Sequence, residues 1–141
     1  MEKISCICKM RQLYQAICRL ETDLVELYGV TLNEAMVMCC IGHERPAAKE
    51  IAQSVGMKVS HLSKVLRSIE EKGFVNREFG DADRRLMCFS LTEPALSLLG
   101  RIRCDGLPVP ELLRDFFAEH HRMCVIERRV QMYLKLHPLI F

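Results

Sequence analysis

Hydroxyl and cationic side chains gather on one side of a predicted helix in the middle of the chain, residues 59–72. Four apolar residues at i, i+3, i+4 and i+7 spacing form a stripe that this helix would bury: Leu62, Val65, Leu66 and Ile69. At about 100° per residue, a polar set points away from the stripe. Its members are Ser60, His61, Ser63, Lys64, Arg67 and Ser68. Hydroxyls bond phosphates or bases, and Lys or Arg bonds phosphates or guanine edges, so this helix is typical of one that reads the major groove of DNA.

A second cationic feature follows this helix. Two runs rich in β-forming residues, 74–79 and 86–91, flank the loop Gly80-Asp81-Ala82-Asp83-Arg84-Arg85, which predicts a hairpin whose loop is longer than the tightest turns. A short amphipathic helix that stops at Gly56 precedes the polar helix. Helix, turn, helix and hairpin together predict a winged helix-turn-helix. The alternative is a helical core segment with a solvated arginine-rich loop.

Three short motifs make the prediction more specific. They are Ile69-Glu70-Glu71-Lys72-Gly73-Phe74-Val75, Asp83-Arg84-Arg85 and Ser90-Leu91-Thr92-Glu93. At this spacing they resemble the DNA-binding core of the multiple-antibiotic-resistance regulator (MarR) family of bacterial transcription factors. The resemblance is strong from residue 32 to 99, weaker before that and faint after residue 100.

The resemblance implies a homodimeric repressor that binds double-stranded DNA at a pseudo-palindromic operator and is relieved by a small effector. It also implies that one wing arginine enters the minor groove while the Asp83 carboxylate holds an arginine in place. Two positions depart from the family pattern. Lys58 stands where a Ser or another capping residue is usual, which predicts that no side-chain oxygen caps the reading helix. Gly80 stands where the family often has an acidic residue.

The N-terminal segment carries an apolar seam of the heptad type over a helix predicted for residues 2–28. The seam consists of Cys6, Met10, Leu13, Ile17, Leu20, Leu24 and Leu27. Because helices with such a seam suit a partner helix, and because of the resemblance, we interpret this segment as part of a dimerisation region. Packing only within its own chain is the alternative.

The predicted fold class is mainly α with a small β-hairpin wing. The chain would form a single domain over residues 1–141, with a winged helix-turn-helix core at 30–99 and dimerisation helices at 1–29 and 100–141. A break at 105–110 is followed by a predicted helix from residue 111 to about residue 136.

Length and composition exclude several classes of protein. A chain of 141 residues suits one domain, and neither a membrane-spanning apolar run nor a signal-peptide pattern is visible, which predicts a cytoplasmic protein with no membrane partner. No catalytic or nucleotide-binding motif is recognised, so we expect no enzyme and no cofactor. The net charge of +2 is modest for a DNA-binding protein. A winged-helix module that binds a protein instead of DNA is therefore an alternative.

Cysteine usage raises a second alternative, a thiol- or metal-sensing regulator. The sequence contains eight cysteines, at 6, 8, 18, 39, 40, 88, 104 and 124, and without a secretory signal they should be reduced. Cys6 and Cys18 loosely meet the requirements of a redox sensor, whereas Cys39 and Cys40 are expected to be buried and inert. A pair formed by Cys124 with His120 or His121 could bind metal, but we commit to no metal site.

A small lipophilic or aromatic effector would need an adaptable apolar surface. Candidate side chains are Met10, Leu13, Tyr14, Ile17, Met36 and Cys40. Methionine adapts to varied ligand shapes, and the resemblance implies such effectors. The alternative is that these six side chains fill the core.

Overall fold

The computed structural model describes Lys3 and residues 5–118. Helices and strands follow the chain in this order: α1 Ile7–Tyr28, α2 Leu32–Ile41, α3 Ala48–Val55, α4 Val59–Glu71, β1 Val75–Phe79, β2 Met87–Leu91, α5 Glu93–Asp105 and a 3₁₀ turn at Glu111–Leu113. Residues 114–118 are α-helical. The predicted tail helix thus begins as a 3₁₀ turn and continues as α-helix to residue 118, and its part from residue 119 lies outside the described residues. The described part of the chain is mainly α with one two-stranded hairpin, as predicted.

Two compact units divide the chain. One comprises Glu21–Leu107, and the other comprises Met1–Leu20 with Pro108–Phe141. The first of these units contains α2 to α5 and both strands, together with the C-terminal part of α1. We call it the winged-helix unit.

The core of the winged-helix unit is built around α2 and α4. The predicted apolar stripe of α4 is buried at all four positions, and Val37, Met38 and Ile41 of α2 are also buried. Each such Leu, Ile, Val or Met side chain contributes about 1.5–3 kcal/mol when fully buried. A capping box begins α2, where the Thr31 hydroxyl accepts from the Glu34 amide and the Glu34 carboxylate accepts from the Thr31 amide.

The hairpin is antiparallel, with register from Val75 opposite Leu91 to Phe79 opposite Met87. Phe89, at the middle of β2, is buried, and its amide donates to the Pro46 carbonyl at 3.0 Å. The connector before α3 therefore lies along the outer edge of β2, and this contact joins the middle of the hairpin to the segment that leads into α3. We call β1, β2 and their loop, residues 80–86, the wing.

The start of α1 differs from the prediction. The helix begins at Ile7, where the Cys6 carbonyl accepts from the Met10 amide, and Ser5 and Cys6 are not helical. Ser and Cys have weaker helix propensity than Ala or Leu, and helix ends fray, so the heptad pattern overestimated the helix. The other end is correct, since the helix stops before Gly29, whose φ is 72°.

The heptad seam of α1 is mostly exposed. Leu24 is buried and Leu20 is half-buried, but Cys6, Met10, Leu13, Ile17 and Leu27 are exposed. Packing within the described chain therefore covers only the C-terminal part of the seam. Four of these exposed apolar residues, Met10, Leu13, Ile17 and Leu27, lie on α1 itself, and Cys6 lies directly before it.

The expectation that Cys39 and Cys40 are buried is wrong. Cys39 is exposed and Cys40 is half-buried. The sequence of α2 is apolar on nearly all sides, but its core contacts are made by the face that carries Val37, Met38 and Ile41. Cys39 lies off that face, so its thiol is exposed.

None of the helices in the described part of the chain is by itself long and apolar enough to cross a membrane. Taken together, α1 and α2 are long and apolar enough for a membrane span, but the chain bends by 74° between them.

Candidate nucleic-acid interface

The outer side of α4 carries most of the predicted polar set. Ser60, His61, Ser63, Lys64 and Arg67 are all exposed, because they point away from the buried stripe of the same helix. We call these five residues the α4 polar face. Hydroxyl, imidazole, ammonium and guanidinium groups thus stand together on one short helix.

Three members of this face have contacts within the chain. The Ser63 hydroxyl donates to the Val59 carbonyl at 2.9 Å, and the His61 Nε2 lies 3.5 Å from the Asn33 amide nitrogen. The Arg67 Nε lies 3.5 Å from a Glu71 carboxylate oxygen, with both side chains more than 70% exposed. Exposed pairs of this kind contribute about 0–1 kcal/mol, so Arg67 can exchange Glu71 for a phosphate or a base at little cost.

The first turn of α4 has no side-chain cap, as predicted from Lys58. Lys58 occupies the N-cap position and makes no capping hydrogen bond. The first backbone amides of a helix lack acceptors within the helix, and the helix dipole adds partial positive charge there. An anion such as a phosphate is favoured at this position.

Ser68 is placed differently from the rest of the predicted polar set. It is half-buried, and its hydroxyl donates to Glu34 Oε1. The other Glu34 oxygen accepts from the Lys72 ammonium at 2.7 Å and from the Thr31 amide at 2.9 Å. No local sequence pattern indicates these contacts, because the approach of α4 to α2 joins residues that are 34 and 38 positions apart.

Glu34 is a buried carboxylate, with 3% of its surface exposed. Burial alone would raise the pKa of Glu34, but hydrogen bonds from its three partners and the positive charge of Lys72 lower it below the ordinary value of 4.5. Glu34 is therefore ionised at neutral pH, and its charge is compensated inside the protein.

The stability provided by Glu34 should depend on pH in one direction. Because its pKa is lowered by folding, its contribution is complete above 4.5 and is lost as the pH falls through the folded pKa. We expect Glu34→Gln to lower the free energy of unfolding by about 1–3 kcal/mol near pH 7. The difference between wild type and variant should stay constant down to about pH 5 and shrink below it. Urea unfolding across this pH range measures it, and a difference that grows on acidification would contradict the assignment.

The wing loop presents its arginines to solvent. Arg84 and Arg85 are exposed. The Asp83 carboxylate accepts from the Arg85 backbone amide at 2.9 Å, and the Asp83 carbonyl accepts from the Leu86 amide at 3.0 Å. In the described structure Asp83 thus orders the backbone that carries the arginines, and no ion pair joins it to a guanidinium. The resemblance had implied a carboxylate that holds an arginine.

Gly80 is enclosed by the backbone of the same loop. Its amide donates to the Leu86 carbonyl at 2.7 Å. A Cβ at this position would lie 2.9 Å from the Asp83 carbonyl oxygen and 3.4 Å from that of Leu86. In this loop geometry any side chain at residue 80, including the acidic one that is frequent in the family, would clash with backbone and require the loop to shift.

We expect Gly80→Ala to distort the wing loop and to lower the free energy of unfolding by about 1–3 kcal/mol. The added Cβ would clash with backbone carbonyls, which cannot avoid it by a change of rotamer as a side chain could. Gly100→Ala is the matched control, since a Cβ there meets nothing within 4 Å and the residue lies inside α5. That control should stabilise the protein by about 0.5–1 kcal/mol. Denaturant unfolding of both variants is the measurement. Equal stabilities would show that the loop tolerates a Cβ.

Ion pairs hold β1 and the start of the wing loop, and no local sequence pattern indicates them. The Arg45 guanidinium pairs with the Glu78 carboxylate, and its other terminal nitrogen lies 3.4 Å from an Asp81 oxygen. Arg77 bonds Glu70 of α4 at 3.1 Å and stacks over the Phe89 ring. The two acidic partners of Arg45 lie 33 and 36 residues away in the sequence, so no local pattern could indicate these pairs.

The other predicted site residues fall into two groups. Among the effector candidates, Met10, Leu13, Tyr14, Ile17 and Met36 are exposed and Cys40 is half-buried, so the alternative that all six fill the core does not hold for five of them. His120, His121 and Cys124 lie outside the described residues. Within the part that is described, no group of three or more His, Cys, Asp or Glu side chains could hold a metal ion.

Comparisons with known proteins agree with this architecture. Residues 30–87 match the family model for the MarR family. The chain is 32% identical over 98 residues to a Thauera aromatica protein named as a transcriptional regulatory protein for the hcr operon. That alignment covers 68% of this chain and 54% of the relative, so the chain spans about half the length of this relative.

Solved structures show the same fold. The S. aureus MepR–DNA complex has a TM-score of 0.62 at 17% identity, with 98% of each chain covered. Bordetella bronchiseptica BpsR, whose DNA binding is regulated by 6-hydroxynicotinic acid, has a TM-score of 0.66 at 13% identity, with 90% of this chain and 93% of BpsR covered. The helix-turn-helix with its wing, the family match over the same residues and the relative identify the chain as a member of the MarR family.

Proposed function

We propose that the chain is a sequence-specific double-stranded DNA-binding regulator of transcription, and that it acts as a homodimeric repressor by binding and not by catalysis. The observation that carries the proposal is the α4 polar face, exposed on the same unit as a wing with two exposed arginines. On this proposal α4 enters the major groove, and Arg84 or Arg85 reaches the adjacent minor groove. MepR, a fold neighbour, is known in complex with DNA.

The distribution of ion pairs supports DNA binding better than the net charge does. Between residues 58 and 85 the sequence has seven Lys or Arg and five Asp or Glu. Four of these acids, Glu70, Glu71, Glu78 and Asp81, are in ion pairs. Within the described residues no ion pair involves the cations Lys58, Lys64, Arg84 and Arg85. The acids are thus compensated by the protein, while these cations remain available to phosphates.

A dimer would combine two such modest surfaces. The exposed part of the α1 seam is the proposed partner contact, with the tail helix predicted from residue 111 as the second. A two-fold dimer demands a pseudo-palindromic operator whose half-sites lie about 34–36 Å apart, one turn of DNA. The proposed location is the cytoplasm, where the operator would lie.

Selection of bound DNA from a random library tests this proposal directly. We expect an enriched site with two-fold symmetry and half-sites about one helical turn apart. Binding should weaken steeply with salt, with a log–log slope of about −0.9 for each phosphate neutralised. If no DNA is enriched at low salt, the winged helix serves as a protein-interaction module instead.

We further propose that a small lipophilic or aromatic effector relieves repression. Support comes from the exposed apolar side chains of α1 and from Met36, and from BpsR, whose DNA binding is regulated by 6-hydroxynicotinic acid. A ligand shifts DNA affinity by its differential affinity for the two states of the protein. Small phenolic compounds should raise the melting temperature and release DNA, and Tyr14→Ala or Met36→Ala should reduce that release. If these variants change only stability, the side chains do not contact an effector.

A further inference from the structure

Glu34 joins α4 to two other elements of the winged-helix unit. Its Oε1 accepts from Ser68, and its Oε2 accepts from Lys72. Ser68 lies in the last turn of α4, and Lys72 directly follows its last residue. The Lys72 ammonium also donates to the Gly29 carbonyl at 3.0 Å, at the residue where α1 ends. A single buried carboxylate therefore holds the end of α4 to the start of α2 and, through Lys72, to the end of α1.

The geometry makes this contact directional. Apolar contacts along the α4 stripe resist separation of the helices, but they tolerate small rotations and shifts, since hydrophobic burial is non-directional. A buried carboxylate bonded by an ammonium, a hydroxyl and an amide has little such freedom, because a displaced partner would leave a buried charge uncompensated. The α4 polar face lies on the same helix as Ser68 and Lys72, so its orientation depends on this contact.

We propose that Glu34 is a positioning residue for DNA recognition: through Ser68 and Lys72 it sets the orientation of α4, and with it the alignment of Lys64 and Arg67 to the major groove. This inference rests on the proposed function. Glu34 touches no DNA on this proposal. Its carboxylate fixes the position of Lys72, which in turn bonds the Gly29 carbonyl at the end of α1.

The sign of the effect of Glu34→Gln separates positioning from electrostatics. The substitution removes a negative charge and releases the Lys72 ammonium, so charge alone would tighten binding to a polyanion or leave it unchanged. Loss of alignment has the opposite effect. We expect the affinity of the variant for its selected operator to fall about tenfold, the equivalent of one good base contact, with a smaller loss on non-specific DNA.

The experiment compares four proteins at a temperature where all are folded: wild type, Glu34→Gln, Ser68→Ala and Leu98→Ala. Leu98 is buried in α5 and is not among the residues that bond Glu34, so Leu98→Ala controls for lost stability. Operator affinity is measured by fluorescence polarisation. Hydrogen exchange of the amides of residues 66–72 is measured on the same samples without DNA, where we expect at least about tenfold faster exchange in Glu34→Gln than in the stability control.

Three outcomes distinguish this inference from the proposed function. Weaker operator binding and faster α4 exchange in Glu34→Gln, both absent in Leu98→Ala, support it. Equal or tighter operator binding by Glu34→Gln overturns it, whatever the loss of stability. If the wild type selects no DNA, the proposed function fails, and the positioning of α4 is then decided by the exchange data: rates no faster than in Leu98→Ala overturn it, and faster rates support it.

Discussion

Replacing Leu13 by glutamate is expected to convert the protein from a dimer to a monomer and to lower its operator affinity by about 10²–10⁴-fold, the largest effect that we predict. Leu13 belongs to the exposed part of the α1 seam and is 44% exposed, so a glutamate there costs the isolated chain little. In a dimer, however, the glutamate would be buried against apolar side chains without a partner. The winged-helix unit of the second protomer would then no longer be held next to the operator, and the gain in affinity from its high effective concentration would be lost.

Gln15→Glu is the matched control for the Leu13 variant. Gln15 is exposed on α1 and points away from the seam. The Gln15→Glu substitution therefore adds the same negative charge to the same helix without placing it in the proposed dimer contact. Size-exclusion chromatography with light scattering should give a dimer for wild type and Gln15→Glu and a monomer for Leu13→Glu. A wild type that is monomeric at micromolar concentration, or a Leu13→Glu variant that remains dimeric with full affinity, would show that α1 is not the partner contact.

Truncating the α4 polar face should give the second largest effect. Lys64→Ala and Arg67→Ala should each weaken operator binding by about 1–3 kcal/mol and relax the preference at one base position if these side chains touch base edges. Arg84→Ala should weaken binding with less change in major-groove preference, because the minor groove offers a more degenerate code. Competition between operators that carry single base changes measures both quantities.

Arg19→Ala controls for general charge. Arg19 is exposed on α1. This substitution therefore removes one positive charge, as Arg67→Ala does, but at a position outside α4 and the wing. If Arg19→Ala weakens binding as much as Arg67→Ala does, and no variant changes the base preference, then the interaction is non-specific attraction and α4 does not read sequence.

Most of the fold could be predicted from the sequence, because its signals lie within a few residues of the structure that they specify. Gly56 ends α3 in the left-handed region at φ 76°, which only glycine adopts readily. The Thr31 and Glu34 side chains begin α2 because their partners are backbone amides three residues away. The periodicity of α4 placed its stripe in the core and five of its six polar residues at the surface, since a helix face depends on spacing alone.

Long-range packing decided the rest. No pattern near Ser68 indicates that its hydroxyl meets a carboxylate 34 residues away, and Arg45 reaches the wing only because the connector before α3 lies along β2. The exposure of Cys39 likewise depends on which side of an almost wholly apolar helix meets the core. Sequence periodicity specifies which residues share a face, but the partner of that face is chosen by how the helices pack, and this choice turned a capping glutamate into the buried contact that holds the end of α4.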